Sequence, residues 1–291
     1  MYLKTLTGGF MNNSYDERIK KAKQLISDAD FVLIGAGAGL STAGGFEYGG
    51  KFFKTHFADF AEKYGLTDMY TGGFYPFKTE EEKWAFWSRM VFFNRYKGKA
   101  NETYKALFDC VKDKEYFVIT TNVDHQFQLA GFDKKRLFYT QGDYGLFQCS
   151  VPCHNKTYDN KELIMKMVES QANCKIPSEL IPKCPVCGRN MEMNLRSDDK
   201  FVQDQGWYDH AEMYQEFLDK AENKKLVLIE IGVGYNTPII IKYPFERMVY
   251  QNKKTHMIRI NKDYPYAGDD ISAKCILFDE ETNKILKDLA K

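Results

Sequence analysis

The stretch "DFVLIGAGAGLSTAGG", residues 30–45, decides the fold. Its first part, residues 31–34, is a short apolar run that is typical of a buried parallel strand. Glycines at every second position from Gly35 then turn the chain, and residues 41–44 are predicted to open a helix. A strand, a glycine-rich turn and a helix place backbone N–H groups where a pyrophosphate can bind. Since the spacing departs from G-x-G-x-x-G, an ordinary tight turn remains an alternative.

Four further apolar runs follow at intervals along the chain. The segments "EYFVITTNVD", "KRLFYTQG", "KLVLIEIGVGYNTP" and "THMIRINKD" predict a second, third, fourth and fifth strand. Ser14 and Glu17 form a capping box before a first helix, and residues 280–289 predict a closing helix. Strands that alternate with helices predict an α/β fold with a doubly wound parallel sheet.

Two segments depart from this alternation. Residues 49–98 are rich in aromatic side chains and predict a helical insertion, whereas residues 149–205 are irregular, polar and contain two cysteine pairs. We therefore predict a Rossmann-like domain from residues 14–48, 99–148 and 206–291. The helical insertion and the cysteine-containing segment are predicted to form a smaller lobe.

The composition excludes several classes of function. The 291 residues carry a net charge of only +1, so no nucleic-acid footprint is indicated. No apolar run reaches the roughly 18–20 residues that a membrane helix needs, and no signal pattern opens the chain. We expect a soluble cytoplasmic protein with no membrane or nucleic-acid partner. In a reducing compartment, seven cysteines indicate metal ligands or buried thiols rather than disulfides.

The cysteine spacing predicts a metal site. Cys149 and Cys153 are followed after thirty residues by Cys184, Cys187 and a glycine. Four thiolates in two close pairs suit tetrahedral Zn²⁺, and a closed four-sulfur site has a structural role. The alternative is a set of thiols without metal. The three remaining cysteines are expected to be small buried side chains, namely Cys110, Cys174 and Cys275.

The segment "TTNVDHQFQLAG", residues 120–131, places polar side chains after a buried strand. Asn122 and Asp124 follow the second predicted strand at the carboxyl edge of the sheet, where ligand sites of α/β folds lie. A ligand site is one interpretation of this pair. An Asx turn that caps the next helix is the other.

Taken together, these motifs resemble those of the sirtuins, the NAD-dependent deacylase family. "GAGLSTAGG" (residues 37–45) resembles GAG-x-S-x3-G, "TTNVDHQFQLAG" resembles T-Q-N-I-D-x-L-H-x-x-A-G, and the cysteine pairs match the family's zinc ribbon. "EIGVGYNTP" (230–238) resembles G-T-S-L-x-V-x-P, one residue shorter. "RINKD" resembles I-N-x-E, and "LRSDDKFVQD" (195–204) resembles L-R-P-x-V-V-x-F-G-E.

The resemblance implies a Rossmann-like NAD-binding domain, a zinc-and-helix lobe, and NAD between them. Residues 35–41 would cradle the pyrophosphate, and residues 232–234 with Asn261 the adenosine side. Carried over position by position, the implied NAD-binding residues are Gly35, Ala36, Gly37, Ala38, Gly39, Leu40, Ser41, Gly45, Glu47, Tyr48, Thr121, Asn122, Asp124, Gln141, Gly232, Val233, Gly234, Asn261, Lys262 and Cys275.

Two departures from the family pattern bear on the reaction. Sirtuins place a catalytic histidine before a glycine upstream of the first zinc cysteine, and that position is Gln141 here. The G-I-P-D-F-R segment is replaced by "GFEYGG", in which Glu47 and Tyr48 take the places of the Asp and Phe and the Arg is absent.

Gln141 changes the chemistry that the family performs. In a deacylating sirtuin the histidine helps a ribose hydroxyl attack an alkylimidate carbon. A base in that position needs a pKa near neutrality, which imidazole has and an amide lacks. A glutamine amide still donates and accepts hydrogen bonds. We therefore expect cleavage of NAD without deacylation, with ADP-ribose passing to a protein nucleophile.

This pattern resembles the macrodomain-linked (class M) sirtuins, which are protein ADP-ribosyltransferases, that is, enzymes transferring a pentosyl group. The resemblance implies a lipoylated glycine cleavage H-like carrier as the acceptor and a macrodomain hydrolase that removes the mark. It also implicates Arg196, whose guanidinium can bind an acidic group. A surface salt bridge is the alternative for Arg196.

Residue roles follow from the same resemblance. Asn122 is expected to orient the nicotinamide ribose or a water, Asp124 to bind the carboxamide, Gln141 to position the ribose hydroxyls, and Arg196 to orient the acceptor. Two alternatives stay open. One is a deacylase that uses His125 or His154 as a substitute base, and the other is a non-catalytic sensor of NAD or ADP-ribose.

Overall fold

The computed structural model describes residues 13–46 and 48–291, and its larger sheet has six parallel strands in the order β3-β2-β1-β7-β8-β9. Its members are β1 (Phe31–Ala36), β2 (Tyr116–Thr120), β3 (Leu137–Tyr139), β7 (Leu226–Ile231), β8 (Thr255–Ile260) and β9 (Cys275–Phe278). The strand order reverses between β1 and β7, and open α/β sheets bind ligands at the carboxyl edge of such a reversal.

Both faces of this sheet are buried. On β1, Val32 and Ile34 pack into one hydrophobic cluster, whereas Leu33 points into another cluster on the opposite face. This explains why the strands are continuous apolar runs rather than alternating patterns. The predicted α/β fold with a doubly wound parallel sheet is confirmed.

Helices cover both faces of the sheet and form most of the insertion. They are α1 (Tyr15–Asp28), α2 (Ala38–Ala43), α3 (Gly50–His56), α4 (Ala58–Tyr64), α5 (Met69–Gly73), α6 (Glu80–Val91), α7 (Glu102–Val111), α8 (Gln126–Leu129), α9 (Lys161–Ser170), α10 (Gln205–Ala221), α11 (Lys242–Gln251) and α12 (Thr282–Ala290). Helix α6 continues into a π-helical turn, Phe92–Tyr96. Short 3₁₀ turns are formed by Lys134–Arg136, Ser178–Leu180 and Ser272–Lys274.

A smaller antiparallel sheet packs with the helical insertion. Its strand order is β5-β4-β6, with β4 (Gly142–Cys149), β5 (Tyr158–Asp159) and β6 (Met191–Leu195). One hydrophobic cluster joins the aromatic side chains of the insertion to this sheet, and Trp84 stacks edge-on against Phe147 at 5.1 Å. Since β4 begins at residue 142, the smaller sheet starts earlier than the predicted boundary after residue 148. The division into domains stays a prediction.

Local details differ from the sequence prediction at several points. Helix α2 begins at Ala38 rather than residue 41, and β9 was not predicted. Glu82, on the first turn of α6, is buried although such acidic positions are usually solvated, and its carboxylate lies 3.5 Å from the ammonium group of Lys63. The predicted capping box at Ser14 and Glu17 is present with both hydrogen bonds.

Within residues 13–46 and 48–291, no helix combines the length and the apolar character that crossing a bilayer requires.

Candidate functional site

A corner of closely packed glycines lies where the strand order reverses. The N–H of Gly39 donates to the carbonyl oxygen of Gly232 at 3.0 Å, and Gly232 has a φ of +60°. A Cβ added at Gly39 would lie 2.6 Å from the Cα of Gly232. This contact requires glycine at both positions because any side chain would push the two loops apart. It brings together the predicted loops after β1 and β7.

Asn122 connects the turn after β2 to this glycine corner. Its side-chain amide donates to the carbonyl oxygen of Gly37 at 3.0 Å and to the hydroxyl of Tyr104 at 3.3 Å. Its backbone N–H donates to the hydroxyl of Thr120 at 3.0 Å. The side chain is half-buried. Two partners therefore fix the amide at the edge of the sheet.

Asp124 is buried beside Asn122 and accepts three hydrogen bonds. Ser41 and Tyr104 donate their hydroxyls to one carboxylate oxygen at 2.6 and 2.9 Å, and the N–H of Gln126 donates to the other at 3.0 Å. Burial raises the pKa of Asp124 above its usual range, and these hydrogen bonds oppose the rise. A carboxylate has about four acceptor positions, so capacity remains for a ligand donor.

A pair of tyrosines extends this polar cluster toward the helical insertion. The hydroxyls of Tyr48 and Tyr144 lie 3.2 Å apart. Burial raises the pKa of both phenols, and the charge of Asp124 acts in the same direction. Both groups are therefore neutral hydrogen-bonding hydroxyls at physiological pH. Tyr48 was predicted as a site residue, and Glu47 beside it lies outside the described residues.

Gln141 lies directly before β4, next to the Asn122 turn. The N–H of Thr140 donates to the carbonyl oxygen of Thr120 at 3.0 Å, and the N–H of Tyr144 donates to that of Val123 at 3.2 Å. These two bonds hold the segment that carries Gln141 against the turn. The Gln141 side chain is half-buried and forms no hydrogen bond with any described residue.

The glycine after Gln141 is required by packing. Gly142 has a φ of +94°, and a Cβ at this position would lie 1.9 Å from the carbonyl oxygen of Asn194 on β6. Only glycine satisfies both conditions. The Gln-Gly pair is therefore fixed in place by the pairing of β4 with β6.

Arg196 is brought next to Gln141 by the same strand pairing. Its N–H donates to the carbonyl oxygen of Gln141 at 3.0 Å. Its exposed guanidinium stacks over the rings of Phe201 and Trp207, with distances of 4.5 and 5.7 Å to the ring centroids. Burial of part of the group lowers the pKa of Arg196 from its ordinary value, but the guanidinium remains charged. It forms no ion pair with any residue that the structure describes, so the salt-bridge alternative has no partner here.

The residues predicted to bind the adenosine side are mostly engaged in structure. Asn261 is buried, and its amide donates to the carbonyl oxygen of Val233 at 2.9 Å. Lys262 is exposed and pairs with Glu281 at 2.7 Å. Cys275 is fully buried and donates to the carbonyl oxygen of Ile271. Asn261 thus shapes the Gly232 loop, whereas Cys275 has no exposed surface for a ligand.

Among the other residues predicted to bind NAD, some are buried and others reach the surface. Ala36 and Leu40 are buried in the core on one face of the sheet. The positions that reach the surface, wholly or in part, are Ala38, Gly45, Thr121 and Gly234. Gly35 is buried against α11, where a Cβ would lie 2.5 Å from Ile241.

The four predicted metal ligands form one cluster. The sulfur atoms of Cys149, Cys153, Cys184 and Cys187 all lie within 4.8 Å of one another. The pairs Cys149–Cys187 and Cys153–Cys184 are separated by 3.6 and 3.7 Å. A Zn–S bond of about 2.3 Å places the sulfurs of a tetrahedral site roughly 3.8 Å apart. Gly188, with a φ of +71°, provides the turn beneath the cluster. The geometry suits a closed zinc site.

Four further residues belong to this region. Tyr104, Tyr144, Arg95 and Asp143 were not predicted, although all four are in contact with predicted residues or line their surroundings. Asp143 follows the Gln-Gly pair directly, which was a usable signal. Tyr104 and Arg95 lie on helices outside the recognised motifs, so no sequence pattern marked them as site residues.

Comparison with known proteins identifies the family. The chain is 38% identical over 275 residues to a protein ADP-ribosyltransferase of Staphylococcus aureus, and the alignment covers 93% of this chain and 87% of that protein. This chain belongs to the protein ADP-ribosyltransferase family. A probable bifunctional ADP-ribose hydrolase/ADP-ribosyltransferase of Fusarium oxysporum f. sp. cubense is 30% identical over 86% of the chain, and the chain spans 43% of that protein's length.

The fold of this ADP-ribosyltransferase is that of the sirtuins. A solved Sir2 homologue–NAD complex superposes with a TM-score of 0.61 at 17% identity and covers 98% of this chain and 94% of the homologue. No family model matches the sequence. The predicted sirtuin resemblance and the ADP-ribosyltransferase family are confirmed.

Proposed function

We propose that this chain cleaves NAD at the nicotinamide–ribose bond and transfers ADP-ribose to a nucleophile on a protein acceptor. The observation that carries the proposal is Gln141 in the position beside the Asn122 turn. An amide at that point binds hydroxyl groups but does not titrate near neutrality. A site that holds the ribose without a base there favours transfer over deacylation.

NAD is the co-substrate that supplies the ADP-ribosyl group and nicotinamide as the leaving group. The glycine corner of Gly37, Gly39 and Gly232 allows close approach of a pyrophosphate to the backbone. Asn261 supports the Gly232 loop on the adenosine side through its bond to Val233. These are the residues that would hold the dinucleotide along the edge of the sheet.

At the nicotinamide end, Asn122 and Asp124 have different roles. Asn122 is fixed by its bonds to Gly37 and Tyr104, so its amide oxygen is oriented and can hold the ribose or the nucleophile. Asp124 is buried and is held in place by Ser41, and its remaining acceptor capacity binds the carboxamide. Fixed groups of this kind lower the barrier because they need no reorganisation during the reaction.

Arg196 is the proposed acceptor contact. Its guanidinium is exposed, charged, and held by two aromatic rings, and no acidic side chain among the described residues pairs with it. Its backbone is bonded to Gln141. A cation in this position can bind an acidic group of the incoming protein. The four-cysteine cluster holds structural Zn²⁺ and stabilises the sheet that carries both residues.

The acceptor is proposed to be a lipoylated carrier resembling the glycine cleavage H protein. This rests on the resemblance to macrodomain-linked sirtuins and on the family assignment. A macrodomain hydrolase is proposed to remove the modification, and the Fusarium relative, whose name joins an ADP-ribose hydrolase to an ADP-ribosyltransferase, supports such a pairing. A cytoplasmic location is also proposed, since a reducing compartment keeps the cysteine pairs available to a metal.

The test measures nicotinamide release and labelled protein with NAD that carries its label in the ADP-ribose part. The proposal predicts nicotinamide release together with label on the carrier, and a lower rate in Arg196→Ala than in Arg189→Ala, an exposed arginine near the cysteine cluster. Binding of NAD without any nicotinamide release would instead support the sensor. Release without labelled protein would contradict transfer.

A further inference from the structure

Three side chains from separate elements converge beside the candidate site. The imidazole Nδ1 of His125 lies 3.1 Å from one carboxylate oxygen of Asp143, and the Nε of Arg95 donates to the other at 2.8 Å. Asp143 is 9% exposed in its side chain, Arg95 17% and His125 23%. The carboxylate is therefore enclosed, whereas the imidazole reaches the surface.

The backbone at two of these residues is unusual. His125 has a φ of +63°, in the left-handed region that residues other than glycine occupy uncommonly, although histidine, asparagine and aspartate do so more often than the rest. Arg95 lies in the π-helical turn Phe92–Tyr96, and such turns are frequent at functional sites. Non-glycine residues in the left-handed region persist where surrounding structure holds them. Both departures aim a side chain at Asp143.

Asp143 is held in its ionised form. Burial alone would raise its pKa, but the hydrogen bond with His125 and the charge of Arg95 bring the pKa of Asp143 below its usual value. An ionised carboxylate accepts a hydrogen bond from Nδ1–H, so the neutral imidazole presents Nε2 as its acceptor nitrogen. Nε2 has no hydrogen-bond partner among residues 13–46 and 48–291.

The pair faces the same small cavity as the predicted site residues. Its wall includes Asn122, Asp124, His125, Gly142 and Asp143. The other titratable or charged groups near the imidazole are Tyr139, which also lines the cavity, and Arg95 behind Asp143. An oriented imidazole beside Asn122 is the arrangement that general-base catalysis requires.

We propose that His125, oriented by Asp143, is the general base that takes the proton from the acceptor nucleophile. This inference rests on the proposed transfer function and deepens it. In the step, a bond forms between the acceptor atom and C1′ of the ribose, and the bond from C1′ to the nicotinamide nitrogen breaks. The bonding electron pair leaves with nicotinamide, and the acceptor proton passes to His125 Nε2.

The assignment constrains the chemical class of the acceptor. A base is useful only when the attacking atom carries a proton at working pH. The acceptor is therefore a hydroxyl, amine or thiol side chain rather than a carboxylate. Gln141 holds the ribose during this step and takes no proton.

The variants are chosen to keep the backbone intact. His125→Asn and His125→Gly both tolerate a φ of +63°. His256→Asn, on β8 of the larger sheet, is the matched control. Asp143→Asn removes the orienting carboxylate, and circular dichroism establishes whether each variant folds. The measurements are transfer rate against pH, the KM for NAD, and rescue of His125→Gly by added imidazole.

The proposal predicts a fall of about 10²-fold in the transfer rate of His125→Asn at an unchanged KM for NAD. The low-pH limb of the wild-type profile is lost in this variant, and imidazole restores part of the activity of His125→Gly. A structural role would give neither the changed profile nor the rescue. The transfer rate of Asp143→Asn is expected to lie between those of wild type and His125→Asn.

Three results overturn the assignment while leaving the transfer function in place. The first is a transfer rate in His125→Asn equal to that of wild type. The second is a loss of activity in His125→Gly that added imidazole does not restore. The third is an acceptor in which the ADP-ribose is found on a carboxylate side chain. If wild-type protein removes the acyl group of an acetyl-lysine peptide and His125→Asn does not, His125 serves a deacylase. That result would overturn the proposed function as well, as would the absence of any labelled protein from wild type.

Discussion

The backbone N–H of Arg196 donates to the carbonyl oxygen of Gln141 at 3.0 Å. The bond extends the antiparallel pairing of β4 with β6, in which Gly142 lies opposite Leu195. Gln141, which is proposed to replace the sirtuin base, and Arg196, the cation proposed to bind the acceptor, are therefore joined through one strand pairing. Changes in the smaller sheet are expected to affect acceptor transfer before they affect NAD binding.

The first prediction concerns Asn122. Asn122→Ala removes the bonds to Gly37 and Tyr104 and leaves the reacting end of the site without a fixed amide. We expect nicotinamide release to fall by about 10²-fold, since one oriented polar group typically contributes an effect of that size. Steady-state release of nicotinamide is the measurement. Asn155→Ala, at an exposed position, is the control, and equal rates in both variants would remove Asn122 from the mechanism.

The second prediction concerns the four-cysteine cluster. Cys184→Ser removes one of the four sulfur ligands, so we expect the bound zinc to fall well below one ion per chain and the smaller sheet to lose stability. Metal analysis and thermal unfolding test this. Cys110→Ser, whose thiol bonds to the carbonyl oxygen of Ala106, should keep its metal content. Wild-type protein that purifies without zinc would contradict the metal assignment.

The third prediction concerns a buried ion network under the loop after β7. Glu230 is fully buried and lies 2.8 Å from Lys242 and 2.7 Å from Arg259. Glu230→Gln leaves two buried cations with too little compensating charge. We expect a loss of about 3–5 kcal/mol in the free energy of unfolding, as for other buried pairs that lose one partner.

Denaturant unfolding of the purified variants measures this loss. The exposed pair of Glu102 and Lys105 is the control, and Glu102→Gln should leave the midpoint nearly unchanged. Equal midpoints for Glu230→Gln and wild type would show that the network contributes nothing to stability.

The fourth prediction concerns acid stability. Because its pairing with His125 and Arg95 outweighs burial, the pKa of Asp143 is lower in the folded protein than in the unfolded chain. A lowered carboxyl pKa contributes stability that is present above its unfolded value of about 3.9 and is lost as pH falls through the folded value. We expect part of the acid unfolding below about pH 4 to disappear in Asp143→Asn. The free energy of unfolding as a function of pH tests this, and an unchanged acid slope would contradict it.

The fold was predictable from the sequence because its signals are local. Buried parallel strands are continuous apolar runs, so four of the five predicted strands lie in the segments around β1, β2, β7 and β8, and the shorter β3 follows Arg136. The cysteine pairs were equally local. Strand β9 is also an apolar run, but its four residues are too few to distinguish a strand from a buried helix segment, and its pairing with β8 identifies it.

The site was predictable only in part because its contacts join distant segments. Asn122 and Asp124 follow a strand directly, so their position at the sheet edge could be predicted. Tyr104 reaches Asp124 from α7, and no spacing rule connects the two. The group of Arg95, His125 and Asp143 depends on a π-helical turn and a left-handed residue, neither of which a sequence pattern specifies.

The most direct test of the central claim compares two acceptors in parallel. Purified protein is incubated with labelled NAD and either a lipoylated H-type carrier or an acetyl-lysine peptide, with the unlipoylated carrier as the matched control. Because Gln141 cannot act as a base, the account predicts label on the lipoylated carrier, nicotinamide release, and an unchanged peptide. Loss of the acetyl group with no labelled protein would contradict the account and establish a deacylase.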